Sequence, residues 1–169
     1  MKFSKTWIPL IALALFISCG GEKEKKSEES VKIGTKETPK ETDKNSVTIG
    51  ISGNDLMKFD TAEIKVKEGQ EVTINLRHVG KLDLKVMGHN FVILKQGIDI
   101  PTFALAAANA GEPADWIPDN GKDVIVHTKM IGGGQSTSIT FDAPPVGTYD
   151  FVCSFPGHSG MMKGKFIVE

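Results

Sequence analysis

Cysteine is scarce: the chain holds two, Cys19 and Cys153. Cys19 lies at the close of an N-terminal export-type segment, so Cys153 is left without an internal disulfide partner. A lone thiol in an oxidising compartment is a liability unless it is buried, catalytic or bound to a metal. An excess of one charge is also missing. The formal net charge is −1, and from Val47 onward eleven Lys plus Arg face fourteen Asp plus Glu, which gives no reason to expect nucleic acid as a partner. No apolar run is long enough to cross a hydrocarbon core of about 30 Å comfortably. There is no internal repeat, heptad pattern or phosphate-cradling loop. Gly132-Gly133-Gly134 lacks the Lys and the helix such a loop needs and reads as a hairpin turn.

The N-terminus carries Lys2 and Lys5, then apolar residues from Trp7 to Ile17 broken by Pro9, then Ser18 and Cys19. This is the layout of an export signal. The stretch Leu15-Phe16-Ile17-Ser18-Cys19 resembles a bacterial lipobox, with Phe16 departing from the usual pattern. The expectation is a signal peptide over 1–18, cleaved before Cys19, which is then acylated. Each buried methylene of an acyl chain contributes about 0.8 kcal/mol, so a multiply acylated Cys19 holds the chain firmly on a membrane. The next stretch, 19–45, is dominated by Glu, Lys, Ser and Thr with balanced charge. It cannot bury enough apolar surface to offset its ordering entropy and reads as a disordered tether. Its reach would be about 30 Å as a flexible coil and on the order of 90 Å fully extended.

Residues 46–169 form one domain of common size. Short stretches rich in β-branched and aromatic residues alternate with Gly, Asn, Asp and Pro clusters, the pattern of an all-β sandwich. Strands are expected near 46–52, 63–67, 71–77, 90–95, 123–127, 136–141, 147–153 and 164–168. In the third, Val72, Ile74 and Leu76 alternate with polar neighbours, giving one core face and one wet face. Thr102 to Ala110 breaks the pattern: it is rich in Ala and Leu, follows Pro101 and precedes Gly111, so a short inserted helix is expected there.

The chemistry concentrates near the C-terminus, in Cys153-Ser-Phe-Pro-Gly-His158-Ser-Gly-Met161-Met162, and upstream in Met87-Gly88-His89-Asn90. A thiolate, two imidazoles and a thioether are the donor set of a copper site with a weak axial sulfur. Thiolate and thioether favour Cu(I) and imidazole tolerates both oxidation states, so a site of one compromise geometry reorganises little on electron transfer. Pro156-Gly157 supplies the turn that brings His158 back toward Cys153. Zinc also suits a Cys and two His. An enzyme with Cys153 as nucleophile and His158 or His89 as base is the competing reading, but no carboxylate stands at a recognisable spacing to orient the base. His78 and His127 read as structural.

Together with Gly53-Asn54-Asp55, His127-Thr128-Lys129-Met130-Ile131-Gly132 and Thr140-Phe141-Asp142, these segments resemble the azurins, bacterial cupredoxins, over essentially all of 46–169. The resemblance implies a Greek-key sandwich of about eight strands and one type 1 (blue) copper per chain. It implies equatorial ligation by His89, Cys153 and His158, with Met162 and the Gly88 carbonyl on the two axial sides. It implies that Asn90 bridges the ligand loops and that the amides of Asn90 and Phe155 donate to the Cys153 sulfur. It also implies an apolar docking patch around His158, matched by Met57, Leu82, Val86, Met87, Phe155 and Met161, and transient redox partners such as c-type cytochromes, reductases or oxidases. The disulfide common in azurins is missing, and Phe91 stands where they often have tryptophan. The implied role is a periplasmic or membrane-anchored electron carrier and not an enzyme; copper delivery or storage through the same ligands is the alternative.

Overall fold

The structure is a computed structural model that describes residues 45–169. The expected signal segment, Cys19 and the tether up to residue 44 lie outside the described residues. The described part is an all-β sandwich with few helices. Its strands, in chain order, are β1 (Ser46–Asn54), β2 (Lys58–Phe59), β3 (Glu63–Val66), β4 (Glu71–His78), β5 (Val92–Leu94), β6 (Val124–His127), β7 (Ser136–Asp142), β8 (Gly147–Val152) and β9 (Lys163–Val168). One sheet has the order β2-β1-β4-β7 and the other β3-β9-β8-β5-β6, so the chain repeatedly crosses from one sheet to the other. Eight strands match the expected eight. The addition is β2, two residues folded back on Gly53 and Asn54, too short to leave a periodic signal.

Alternation sets the inner faces. In β4 the side chains of Val72, Ile74 and Leu76 are fully buried, while Glu71, Asn75 and Arg77 face water. They meet Ile64, Val66, Phe151, Phe166 and Val168 of the opposing sheet in one core. Each such side chain contributes about 1.5–3 kcal/mol on burial. Phe91 sits in this core against Phe151, ring centroids 4.9 Å apart, and against Phe59 at 6.2 Å.

β5 is the exception, because Val92, Ile93 and Leu94 are all buried. Its outer face is covered by helix α2, whose Phe103 and Ala107, one turn apart, pack on Val92, Leu94, Val124 and Val152. The helix runs Ile100–Ala110, two residues earlier than expected. Asp99 is the reason: its carboxylate accepts from the Thr102 amide at 3.0 Å, capping the helix with Pro101 already inside the first turn. A one-turn helix α1 (Leu84–Met87), capped by Asp83, leads into the segment that carries His89.

Gly132-Gly133-Gly134 is not a hairpin turn. β6 and β7 belong to different sheets, and the glycines lie in the crossover between them, with Gly132 and Gly133 pressed on the 81–84 backbone. A Cβ at Gly132 would stand 2.7 Å from the Leu84 nitrogen, and one at Gly133 would stand 2.5 Å from the Lys81 carbonyl carbon. Gly133→Ala is therefore expected to force the two loops apart and lower apoprotein stability by about 1–3 kcal/mol, read from urea denaturation. Gly50→Ala, whose Cβ meets nothing within 4 Å, serves as the control.

Candidate metal centre

All the loops that matter sit at one end of the sandwich, where β1, β4, β6 and β8 end and β5, β7 and β9 begin. Cys153 directly follows β8, and its amide donates to the Met162 carbonyl at 2.9 Å, closing the loop 153–162 on itself. Inside it the amides of Met161 and Met162 donate back to the His158 carbonyl, at 3.1 and 2.8 Å. Gly157 takes φ 81°, as the expected turn requires. His89 enters from the other side. Its amide and carbonyl pair with those of Ile131, both at 2.9 Å, so it is held as rigidly as a strand residue.

His89, Cys153 and His158 each offer one donor atom, and these lie within 4.8 Å of one another. Sγ of Cys153 is 3.6 Å from Nδ1 of His158 and 3.7 Å from the Gly88 carbonyl oxygen. Cys153, His89 and Met162 are fully buried, and His158 is 3% exposed. The Met162 methyl packs beside the His89 ring: a Cβ at Gly53 would strike both at 2.7 Å. Glycine at 53 thus leaves the space these two side chains use.

The hydrogen bonds test whether a cation fits. Nε2 of His89 lies 2.9 Å from the Asn54 carbonyl and Nδ1 lies 2.8 Å from the Gly88 carbonyl. A neutral imidazole has one N–H, and burial lowers the pKa of this ring. With Nε2–H donating to Asn54, the Nδ1 lone pair points into the space shared by the Gly88 oxygen and Cys153 sulfur. Lone pairs converge there with the thiol hydrogen as the one proton among them, an arrangement that a cation satisfies in the proton's place, and a donor set of soft sulfur and imidazole suits copper.

Burial is also the largest influence on the ionisable groups. It raises the Cys153 thiol to about 11, opposed by the backbone N–H groups of Asn90 and Phe155 that donate to its sulfur. It lowers His158 to about 4, helped by the neighbouring His89 and His78. The free protein is thereby set up as a protonated thiol beside two neutral imidazoles, and metal binding has one proton to displace.

Asn90 links the two halves of the site. Its Nδ2 donates to the Ser154 hydroxyl at 2.8 Å, and its Oδ1 accepts from the Ser154 amide at 2.9 Å. Both residues are buried, so the expected bridge is present, and its partner is the residue after Cys153. Phe155 covers His158, centroids 4.7 Å apart, and is itself covered by Trp116 at 5.4 Å. Trp116 and Asp115 both carry positive φ, and the Asp115 carboxylate accepts from the Met130 amide at 3.2 Å, tying that strained turn to the site. Neither was legible in sequence, since the contacts join separate segments, 15 residues apart for Asp115 and Met130 and about forty for Trp116 and Phe155. His78 and His127 stay outside the donor cluster. His78 stacks on His89 at 4.0 Å with its ring nitrogens on the Met87 carbonyl and the Gly80 amide.

Of the expected patch, Leu82, Val86 and Met161 are well exposed, at 42, 62 and 55%. Met57, Met87 and Phe155 are half-buried. The structure adds Leu56 and Val79, at 68 and 52% exposed. The Val79 amide donates to Gly53, and Asp55 accepts from Lys81, which brings the 54–57 and 79–82 loops side by side.

The profile of the family described as copper binding proteins, plastocyanin/azurin family, matches residues 45–169. Azurin-1 of Alcaligenes xylosoxydans xylosoxydans is 43% identical over 121 residues, 69% of this chain and 93% of that protein. Azurin of Alcaligenes faecalis is 44% identical over 120 residues, with the same shares. Among solved structures, auracyanin A of Chloroflexus aurantiacus, titled a "blue" copper protein, superposes with TM-score 0.68 at 32% identity, covering 73% of this chain and 99% of its own.

Two outcomes follow for the metal-free protein. Between pH 6.5 and 4 the unfolded chain gains protons on its histidines before the folded chain does at His158. The contribution of His158 to stability is therefore fully present above about 6.5 and lost as pH falls toward 4; urea midpoints at pH 7, 5.5 and 4.5 should fall in that order. Asn90→Ala, which strands the Ser154 amide, should lower metal affinity about 10–100-fold and shift the urea midpoint downward.

Proposed function

We propose, from the premise that this chain belongs to the plastocyanin/azurin family of copper-binding proteins, that it carries single electrons between redox proteins. Copper is the cofactor, and His89 and His158, through Nδ1, and Cys153, through Sγ, would hold it, with Met162 and the Gly88 carbonyl completing the set. The observation that carries this reading is the convergence of those three buried donors within 4.8 Å. Bound copper supplies a one-electron couple that the side chains alone lack.

The residues do the rest. The sandwich holds the donors in one arrangement through the His89–Ile131 pairing, the Cys153–Met162 closure and the Asn90–Ser154 clip. A site that moves little on gaining or losing charge needs little reorganisation. The amides of Asn90 and Phe155 stabilise negative charge on sulfur, and their number tunes how readily an electron is accepted. Phe155, Trp116 and Met162 exclude water. His158 is the donor nearest the surface, so exchange with a partner is expected through its ring edge. Full burial of the thiol, with its proton held up to about 11, makes Cys153 a poor nucleophile. A single site braced by the His89–Ile131 pairing and the Asn90–Ser154 clip favours a carrier over copper delivery or storage, which need a site that opens.

Partners of this reading are c-type cytochromes, reductases or oxidases that dock transiently. Its location is the periplasm, with acylated Cys19 as the membrane anchor and 19–45 as the tether. Radiolabelled palmitate incorporation lost in Cys19→Ser would support the anchor.

Cu(II) added to the metal-free protein should produce an intense visible charge-transfer band and a reversible one-electron titration. Cys153→Ser should abolish the band while the β-sheet circular dichroism persists. A colourless Cu(II) complex of the wild-type protein, or one that cannot be reduced and reoxidised, would overturn the reading.

A further inference from the structure

The two ends of the domain differ in charge. At the metal end, Lys58, Lys81, Lys85 and Lys129 are exposed. Among the described residues none of them has a carboxylate within 4.0 Å; the close charge pairs are Lys65–Glu63, Lys165–Asp150 and His78–Asp55. Four carboxylates share this end: Glu112 is exposed in the turn that carries Asp115 and Trp116, and the other three are turned onto backbone amides while keeping their charge. Asp55 accepts from Lys81 and Leu82, Asp83 from Lys85, and Asp115 from Met130. Those acids brace the loops, while the lysine side chains extend into water. At the opposite end the acids are in excess: Glu68, Glu71, Asp142 and Glu169 are exposed against Lys67, Lys95 and Lys122, and Glu71 and Asp142 are direct cross-strand neighbours. A chain of net charge −1 thus presents exposed lysines around its metal end and an excess of acids at its base.

Inside that rim lies the apolar surface. Leu56, Val79, Leu82, Val86 and Met161 are five of the seven large hydrophobic side chains exposed among the described residues. Lys81 and Lys85 alternate with Leu82 and Val86 along one loop. Apolar contact at the centre suits a small, short-lived interface, and unpaired charge at the rim acts on encounter rate and orientation.

We infer that this end docks a redox protein whose exposed cofactor edge is ringed by carboxylates. The inference rests on the electron-carrier reading and adds to it the partner's chemistry. An acidic partner is drawn to the lysine rim and repelled by the acidic base, so the field of the domain turns the metal end toward it before contact. A second copy of this chain is disfavoured as occupant, because two metal ends face each other with like rims.

The test uses the copper-loaded full chain, mixed in stopped flow with one acidic and one basic c-type cytochrome at low and high salt. Exchange with the acidic cytochrome should be the faster, and should fall roughly tenfold or more as salt rises. Lys81→Glu/Lys85→Glu should slow it by a similar factor without altering the visible spectrum, whereas Lys67→Glu at the far end should leave it within about twofold. Backbone amide shifts of the Cu(I) form on adding the acidic cytochrome should map to 56, 79–86 and 161. Rates that ignore salt and the double substitution, or a preference for the basic cytochrome, would overturn the inference and leave the carrier reading standing. So would shifts at these positions produced by self-association or by anionic vesicles and not by the acidic cytochrome. Absence of exchange with both cytochromes and with ferricyanide, despite a normal visible band, would instead sink the carrier reading.

Discussion

Everything at the metal end follows from putting an ionisable sulfur where water cannot reach it. Cys153 is fully buried, and burial holds its proton up to about 11 against two backbone amides that favour the anion. The sulfur can become an anion there only if the charge is met from several sides at once. Two backbone amides, from Asn90 and Phe155, meet part of it, and a cation shared with two neutral imidazoles meets the remainder. Neutral imidazoles are required for that, and the same burial that disfavours the thiolate keeps His89 and His158 uncharged.

Such a site has to be assembled from loops that would otherwise move independently. One carboxamide, Asn90, joins the His89 segment to the Cys153 loop by two buried hydrogen bonds. Breaking either leaves an unpaired polar group in the interior, an expensive state compared with the modest net value of making the bond. Close backbone approaches do the rest. Gly53, Gly88, Gly132 and Gly133 each sit where a Cβ would collide with a neighbour, so the loops touch at distances that only glycine allows.

At the same end Asp55, Asp83 and Asp115 brace loops by accepting from backbone amides, while the lysines extend into water, which separates residues that hold the site from those that face solvent. Strained backbone at Asp115 and Trp116 fits the same division: the turn is held by Met130 and delivers an indole over Phe155. Strain kept next to a functional centre needs a surrounding structure that over-determines it, and the Asp115 carboxylate supplies part of that.

Donor types, their order and their loop spacing were readable because a short loop constrains them locally: Cys153, His158 and Met162 lie within ten residues. Strand placement was readable in β4 and most other strands because each buries one face, leaving a period of two. It blurred at β5, which is covered on both faces, and missed β2, which is two residues long. The start of α2 moved because a side-chain cap at Asp99 outweighed the simpler marker of Pro101. The glycine run was misread because a tight turn and a tight crossover need the same residue. What local pattern carries is chemistry and periodicity, and these made the fold class and the His89, Cys153 and His158 cluster readable. Contacts between distant segments settled the Ser154 partner of Asn90, the Trp116–Phe155 cover, the Leu56 and Val79 patch and the division of charge between the two ends. They depend on which loops the sandwich brings to the same end, and that is a property of topology with no local signature.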